Sequence, residues 1–299
     1  MKIEIKYSKH FDLIFHVLAY LKVNNASNLY SEEYISRMGM EKQKQNFEYD
    51  IILNVNLLQE YYNDNFERLT LINFLPFYSN SFKEMKDIFV SCTRFTSADF
   101  QYFINPFIEI LDKESVFYFD YWDKLHKLNE RLRYFTEKNI SNEIEKYSCI
   151  FDYYNTSAMM ILSYSITHNG RGFNGIDSYF SALVPLPVSA DYTKYTFFSL
   201  LHEYTHQFTD NLLKVNINMS DGSHDVSENI VILADYYLIK SIATEDVPIY
   251  FNWLIQISGN TDIEIDEDGF LSMFRIDEHT HTDLKKLIDN ITGNNKLQE

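Results

Sequence analysis

The chain has 299 residues, an apolar fraction of 45% and a charged fraction of 23%, the proportions of a globular protein able to bury a substantial core. Its formal net charge of -17 repels phosphate backbones and anionic lipid surfaces, which argues against nucleic-acid binding. Two cysteines, Cys92 and Cys149, are too few for a disulfide framework and read as free thiols in a reducing compartment.

The opening "KIEIKY" alternates and predicts a short strand. The apolar stretch after it is interrupted by Asp12 and His16 and meets no small-residue cleavage site, so it does not read as a signal peptide. No window approaches the roughly 18 uninterrupted apolar residues of a membrane span. The expectation is a soluble, cytoplasmic protein without a membrane span. Helical periodicity then predicts helices over 11–23, 43–62, 81–90, 98–111 and 115–138. The last carries Phe117, Tyr118, Tyr121, Leu125, Leu128 and Leu132 at three- and four-residue spacing, a stripe suited to a core. Residues 1–147 thus form a mainly helical region with no motif that names a role.

Character changes near residue 148. "CIFDYY", "AMMILSYSI" and "SYFSALVPL" are short apolar runs that read as strands, broken by "THNGRGFNG". That segment holds three of the eight glycines, lacks the spacing of a phosphate loop and predicts a turn. A helix over 192–214 and a second over 226–242 follow, then a helix-rich tail. Within the tail, "TDIEIDEDGF" lacks the alternating oxygen ligands of a calcium loop and reads as a solvated strand with a tight turn. The whole is of α+β class: a helical first half, then over 148–299 a short sheet, a site helix and a second helix.

The site helix contains "HEYTH". Residues four apart on a helix share one face with Cβ atoms about 5–6 Å apart, so the imidazoles of His202 and His206 can converge on one ion. Glu203 lies about 100° further round, beside such an ion and outside its ligand shell. That is the place of a general base acting on water, so the spacing points to a hydrolytic zinc site. No Gly or Pro breaks this helix, and Phe198, Leu201, Thr205, Phe208 and Leu212 form a stripe away from the polar set.

A catalytic zinc needs a third protein ligand. The extended HExxHxxGxxH pattern is absent, since Thr209 and Leu212 stand where its Gly and His would be. Glu228, at the start of the second helix, is the first choice, with His224 as a rival in the preceding loop. Glu228 also stands three residues after Asp225, a capping-box-like spacing that would use it as a helix cap instead. Asp235, seven residues on, shares the face of Glu228. It could orient a zinc histidine or be a buried acid paired elsewhere.

These residues resemble the gluzincin class of zinc metallopeptidases, the thermolysin-like group, and are similar to poorly characterised bacterial HExxH-domain proteins. The resemblance covers roughly residues 150–245. It implies a zincin-like domain over 148–299 that binds one zinc ion through His202, His206 and Glu228. Glu203 would be the catalytic base, and a peptide or protein the substrate. It also implies that "SYFSALVPL" is the edge strand along the cleft, open to strand addition by substrate. The sequence departs from the thermolysin-like pattern around the third ligand, where Ser227 precedes Glu228 and Ile232 follows four residues later. Such enzymes hydrogen-bond the developing oxyanion with a Tyr or His, for which Tyr236, His281 and His279 are candidates. The alternative to an enzyme is a non-catalytic binding or regulatory protein that keeps the zincin-like frame.

Overall fold

The computed structural model describes residues 3–21, 32–153, 157–167, 170–174, 179–216, 223–258 and 266–293, without the side chains of 210, 211, 213–216 and 223–225. The chain opens with β1 (Ile3–Lys6) and α1 (Lys9–Leu18). There follow α2 (Glu32–Lys44), α3 (Ile51–Asp64), the single turn α4 (Phe66–Leu69) and α5 (Phe82–Ser91). The sequence pattern 43–62 predicts one helix, but the structure has two. Asn46 takes a left-handed φ of 51°, and the Asp50 side chain accepts from the Leu53 amide to begin α3 afresh. The short α6 (Ser97–Asp99) leads through a π-helical turn into α7 (Asn105–Leu128), and α8 (Glu130–Lys146) follows a break at Asn129. The predicted boundary at 111–115 is therefore displaced: α7 runs through it unbroken.

The second half contains α9 (Ser148–Tyr153), β2 (Ala158–Ser163), β3 (Arg171–Asn174) and β4 (Phe180–Pro185). It continues with α10 (Thr193–Asn216), α11 (Ser223–Ile242), α12 (Val247–Ser258), α13 (Glu267–Met273) and α14 (Glu278–Thr292). Two expectations fail here. "CIFDYY" forms the helix α9, which sets Ile150 and Phe151 into the core. The end of the acidic tail segment also turns helical, in α13, whose N-cap Asp266 accepts from the Gly269 amide; residues 261–265 lie outside the described ones.

The strands form one mixed sheet in the order β1-β2-β4-β3, with β1, β2 and β4 parallel and β3 antiparallel to β4. The fold is α+β and mostly helical. Since β1 pairs with β2, the sheet draws strands from both halves of the chain. Both of its faces are covered. Met159, Ile161 and Leu183 pack with Ile14, Phe107 and Leu111 of the first half. Ala158, Met160, Leu162, Phe180, Ala182 and Val184 pack against α10 and α11 through Phe197, Leu201, Tyr204, Ile230 and Leu233. Burial on both sides is why β2 and β4 read as continuous apolar runs without alternation. No described helix is long and apolar enough to cross a membrane.

The expected edge strand is corrected by this topology. β4 is paired on both sides, and the edge strand beside it is β3, formed by the glycine-rich segment that reads as a turn. The polar interruptions of α1 are buried joints. The Asp12 carboxylate is fully buried and accepts from Trp122 Nε1 (2.6 Å), Ser165 Oγ (3.1 Å), the Tyr164 amide and Ser163 Oγ. It thereby ties α1 and α7 to the chain leaving β2. His16, equally buried, bridges Glu114 (2.8 Å) and the Tyr34 hydroxyl (3.0 Å), joining α1, α7 and α2.

Candidate metal centre

The α10 helix lies under the sheet because Phe197, Phe198, Leu201, Tyr204, Thr205 and Phe208 are all buried. This leaves His202, Glu203 and His206 partly open on its remaining face. The α11 helix returns beside it and brings Glu228 over the histidines. Ligand atoms of His202, His206 and Glu228 lie within 4.8 Å of one another, a spacing that one ion could close. His202 Nε2 is 3.2 Å from Glu228 Oε2, and His206 Nε2 is 3.6 Å from Glu228 Oε1. Side-chain exposure rises from 14% at His202 to 25% at His206 and 34% at Glu228. The group therefore has a buried side at His202 and a more open side at Glu228.

Asp235 forms the floor. Its Oδ2 stands 3.0 Å from His202 Nδ1, and the carboxylate is fully buried. This orients the ring and turns Nε2 toward Glu228. Burial opposes the charged form of His202, but the carboxylates of Asp235 and then Glu228 outweigh it and raise its pKa well above 6.5. A metal ion held there would face the same two carboxylates with the histidine neutral. Two α12 side chains complete the surroundings. The Trp253 ring centroid is 6.0 Å from that of His202, and Tyr250 donates to the Ile232 carbonyl at 3.2 Å beside the same buried acid.

Glu203 stands apart from the ligand group, on the β3 side. Its Oε2 accepts from the Gly172 amide at 2.6 Å. A cavity of about 480 Å³ opens at the other flank. Its wall includes Ser199, one turn before His202, and Trp253, with Tyr164, Leu186, Tyr195 and Ile257. Ser163 and Pro185, the last residues of β2 and β4, also line it, so it lies at the carboxyl ends of the parallel strands, where open α/β sheets bind ligands. Tyr34 of α2 and Leu125 of α7 close it from the first half of the chain.

The sequence-derived ligands His202, His206 and Glu228 thus come together, and Asp235 reaches His202 as one of its two readings requires. Tyr236 and His281 do not join them. The Tyr236 hydroxyl donates to Glu267 Oε1 at 2.5 Å and accepts from Lys240 Nζ at 3.0 Å, while His281 Nε2 pairs with the Tyr237 hydroxyl at 2.7 Å. His279 is exposed and sits beside Asp283. The side chains of His224 and Asp225, and with them the rival ligand and the capping-box pair, lie outside the described residues. Sequence reading missed the contact of Gly172 with Glu203. The signal was present as two glycines in alternate positions, Gly170 and Gly172, which in a strand leave one face bare for a close neighbour.

Comparison with known proteins finds no matching family model, no matching curated protein and no matching solved structure. The resemblance to gluzincins rests on the site residues alone. If Asp235 orients His202 for a metal, Asp235→Asn should weaken zinc binding about 10–100-fold with the fold intact, measured by competition with a chromogenic chelator. Unchanged affinity would make Asp235 merely a buried partner.

Proposed function

We propose that the protein is a zinc-dependent metallopeptidase of gluzincin type, with a zincin-like arrangement in residues 148–299. The observation that carries the reading is the convergence of the His202, His206 and Glu228 ligand atoms within 4.8 Å, next to a glutamate that is not among them. Two imidazoles and one carboxylate are a donor set of catalytic zinc sites, which keep a further position for water or substrate. The chemistry of these donors and the Asp235 contact to His202 fit zinc.

Bound there, zinc would polarise a substrate carbonyl and make water easier to deprotonate near neutral pH. Glu203 takes the proton from the attacking water and passes it to the leaving amine as the C–N bond breaks. β3 ends the described sheet on its side, where an extended peptide would add as a further strand, and the cavity beyond Ser199 and Trp253, lined by polar as well as apolar side chains, has the size to receive residues flanking the cleaved bond.

Metal content by mass spectrometry, on protein purified without a metal-affinity tag, tests the reading. The expected result is one zinc per chain, lost in His202→Ala and in Glu228→Ala, with zinc-dependent cleavage of a quenched-fluorescence peptide library. A folded, zinc-supplemented wild type without bound zinc overturns it. Bound zinc without turnover leaves a binding protein.

A further inference from the structure

We propose that the edge strand β3 is the positioning device of the Glu203 carboxylate, with Gly172 as the positioning residue and Gly170 as the second half of the same cradle. The inference rests on the reading of Glu203 as general base and adds what holds that base in place. The hydrogen bond from the Gly172 amide fixes Oε2. A Cβ built at Gly172 would stand 2.8 Å from Oε2, 3.1 Å from the Glu203 Cβ and 3.2 Å from the Glu203 carbonyl oxygen. The first of these atoms belongs to a flexible side chain. The last belongs to the backbone of α10 and cannot yield cheaply. A Cβ at Gly170 would meet the Glu203 Cγ at 2.9 Å, Oε1 at 3.0 Å and the Leu183 carbonyl oxygen at 3.0 Å. The carboxylate therefore occupies the volume that two side chains would fill in any other strand of this register. The two glycines have the same function from opposite ends: one face of β3 is bare backbone, and Glu203 lies on it.

This arrangement divides the labour of the two carboxylate oxygens. Oε2 is committed to the β3 amide while that bond is made. Oε1, next to Gly170, is left for the water. It also assigns a use to the glycine-rich segment that its turn-like composition hides. The strand is glycine-rich because the base must approach its backbone, a requirement separate from any reversal of the chain.

Two experiments test this, the first without metal. Selective ¹⁵N-glycine labelling yields one amide signal for each of the eight glycines. In the zinc-free wild type the Gly172 signal, assigned by its loss in Gly172→Ala, is expected far downfield, as a short bond to a carboxylate requires, and to move upfield in Glu203→Ala, which removes the acceptor. A Gly172 signal indifferent to Glu203→Ala overturns the proposal, whatever the enzyme does. In the second experiment Gly172→Ala is expected to keep its zinc and its KM while kcat falls about 10²-fold, the effect of displacing a catalytic group by about 1 Å. Gly39→Ala serves as the control, because a Cβ there meets nothing within 4 Å. Full kcat in Gly172→Ala beside an inactive Glu203→Gln overturns the positioning role alone. A zinc-loaded wild type that hydrolyses nothing overturns the peptidase reading, and the glycine amide shift then decides whether β3 holds Glu203.

Discussion

On the proposed zinc-peptidase reading, Glu203→Gln should lower peptide hydrolysis about 10³-fold while the protein keeps its zinc. The substitution is nearly isosteric, and its amide oxygen can still accept from the Gly172 amide, so the β3 contact and the α10 helix survive. None of the three converging ligand atoms belongs to Glu203, so zinc stoichiometry should match wild type. What is lost is the ability to take a proton from water and return it to the amine. The pairing of the two readouts gives the test its force. Loss of both zinc and turnover would mean that residue 203 acts as a ligand or a structural support. Retention of both would remove Glu203 from the mechanism, and another acid near the cavity would have to be sought.

How far the sequence foretold this site follows from the range of the interactions involved. The set His202, Glu203, His206 depends on the 3.6-residue period of one helix, and the pair Glu228 and Asp235 depends on the same period in another. Each is written locally, and only the meeting of α10 with α11 had to be supplied by tertiary packing. The edge of the sheet was not local. "SYFSALVPL" has the apolar content of a strand, but nothing in it says that Arg171–Asn174 will pair outside it and make it an inner strand. Likewise "CIFDYY" has strand-forming residues, yet its place between α8 and β2 makes it a helical turn, with Tyr147 and Ile150 filling the core beneath. The helix break at Asn46 depends on one residue taking a left-handed φ, which the apolar periodicity of 43–62 does not encode. Tyr236 and His281 were named for their chemistry, and their hydrogen bonds to Glu267 and Tyr237 show partners that spacing could not reveal.

The role of the first half was the least legible, and Asp12 shows why. In the sequence it is a polar interruption that argues against a signal peptide. In the structure it holds the carboxyl end of β2, where Ser163 and Tyr164 turn into the cavity wall, against α1 and the Trp122 indole of α7. The first half is therefore more than a cover added to a finished sheet. It supplies β1, one face of the core and the carboxylate that fixes the strand end beside the site.

The same carboxylate should give the fold a distinctive pH dependence. Burial raises the Asp12 pKa from 3.8 to about 6, with the Ser163, Trp122, Tyr164 and Ser165 donors pulling the other way. A group whose folded pKa is raised contributes stability that is complete below its unfolded pKa and disappears as pH climbs through its folded one. The window is thus from 3.8 to about 6. Each pH unit within it contributes about 1.4 kcal/mol, so some 3 kcal/mol of stability should drain from the wild type between pH 4 and 7 through this residue. Asp12→Asn cannot titrate. It brings an amide N–H against donors that expect an acceptor, and it should therefore begin less stable at pH 4. Its deficit should then shrink by about 3 kcal/mol as pH rises to 7, since only the wild type loses this contribution. Urea unfolding of both metal-free proteins across that range reads the difference directly, and the contributions of the other carboxylates cancel in the subtraction. A constant difference between the two proteins would mean that the donors around Asp12 hold it ionised throughout, and that the joint between α1 and β2 is an anion bound by its four donors at every pH examined.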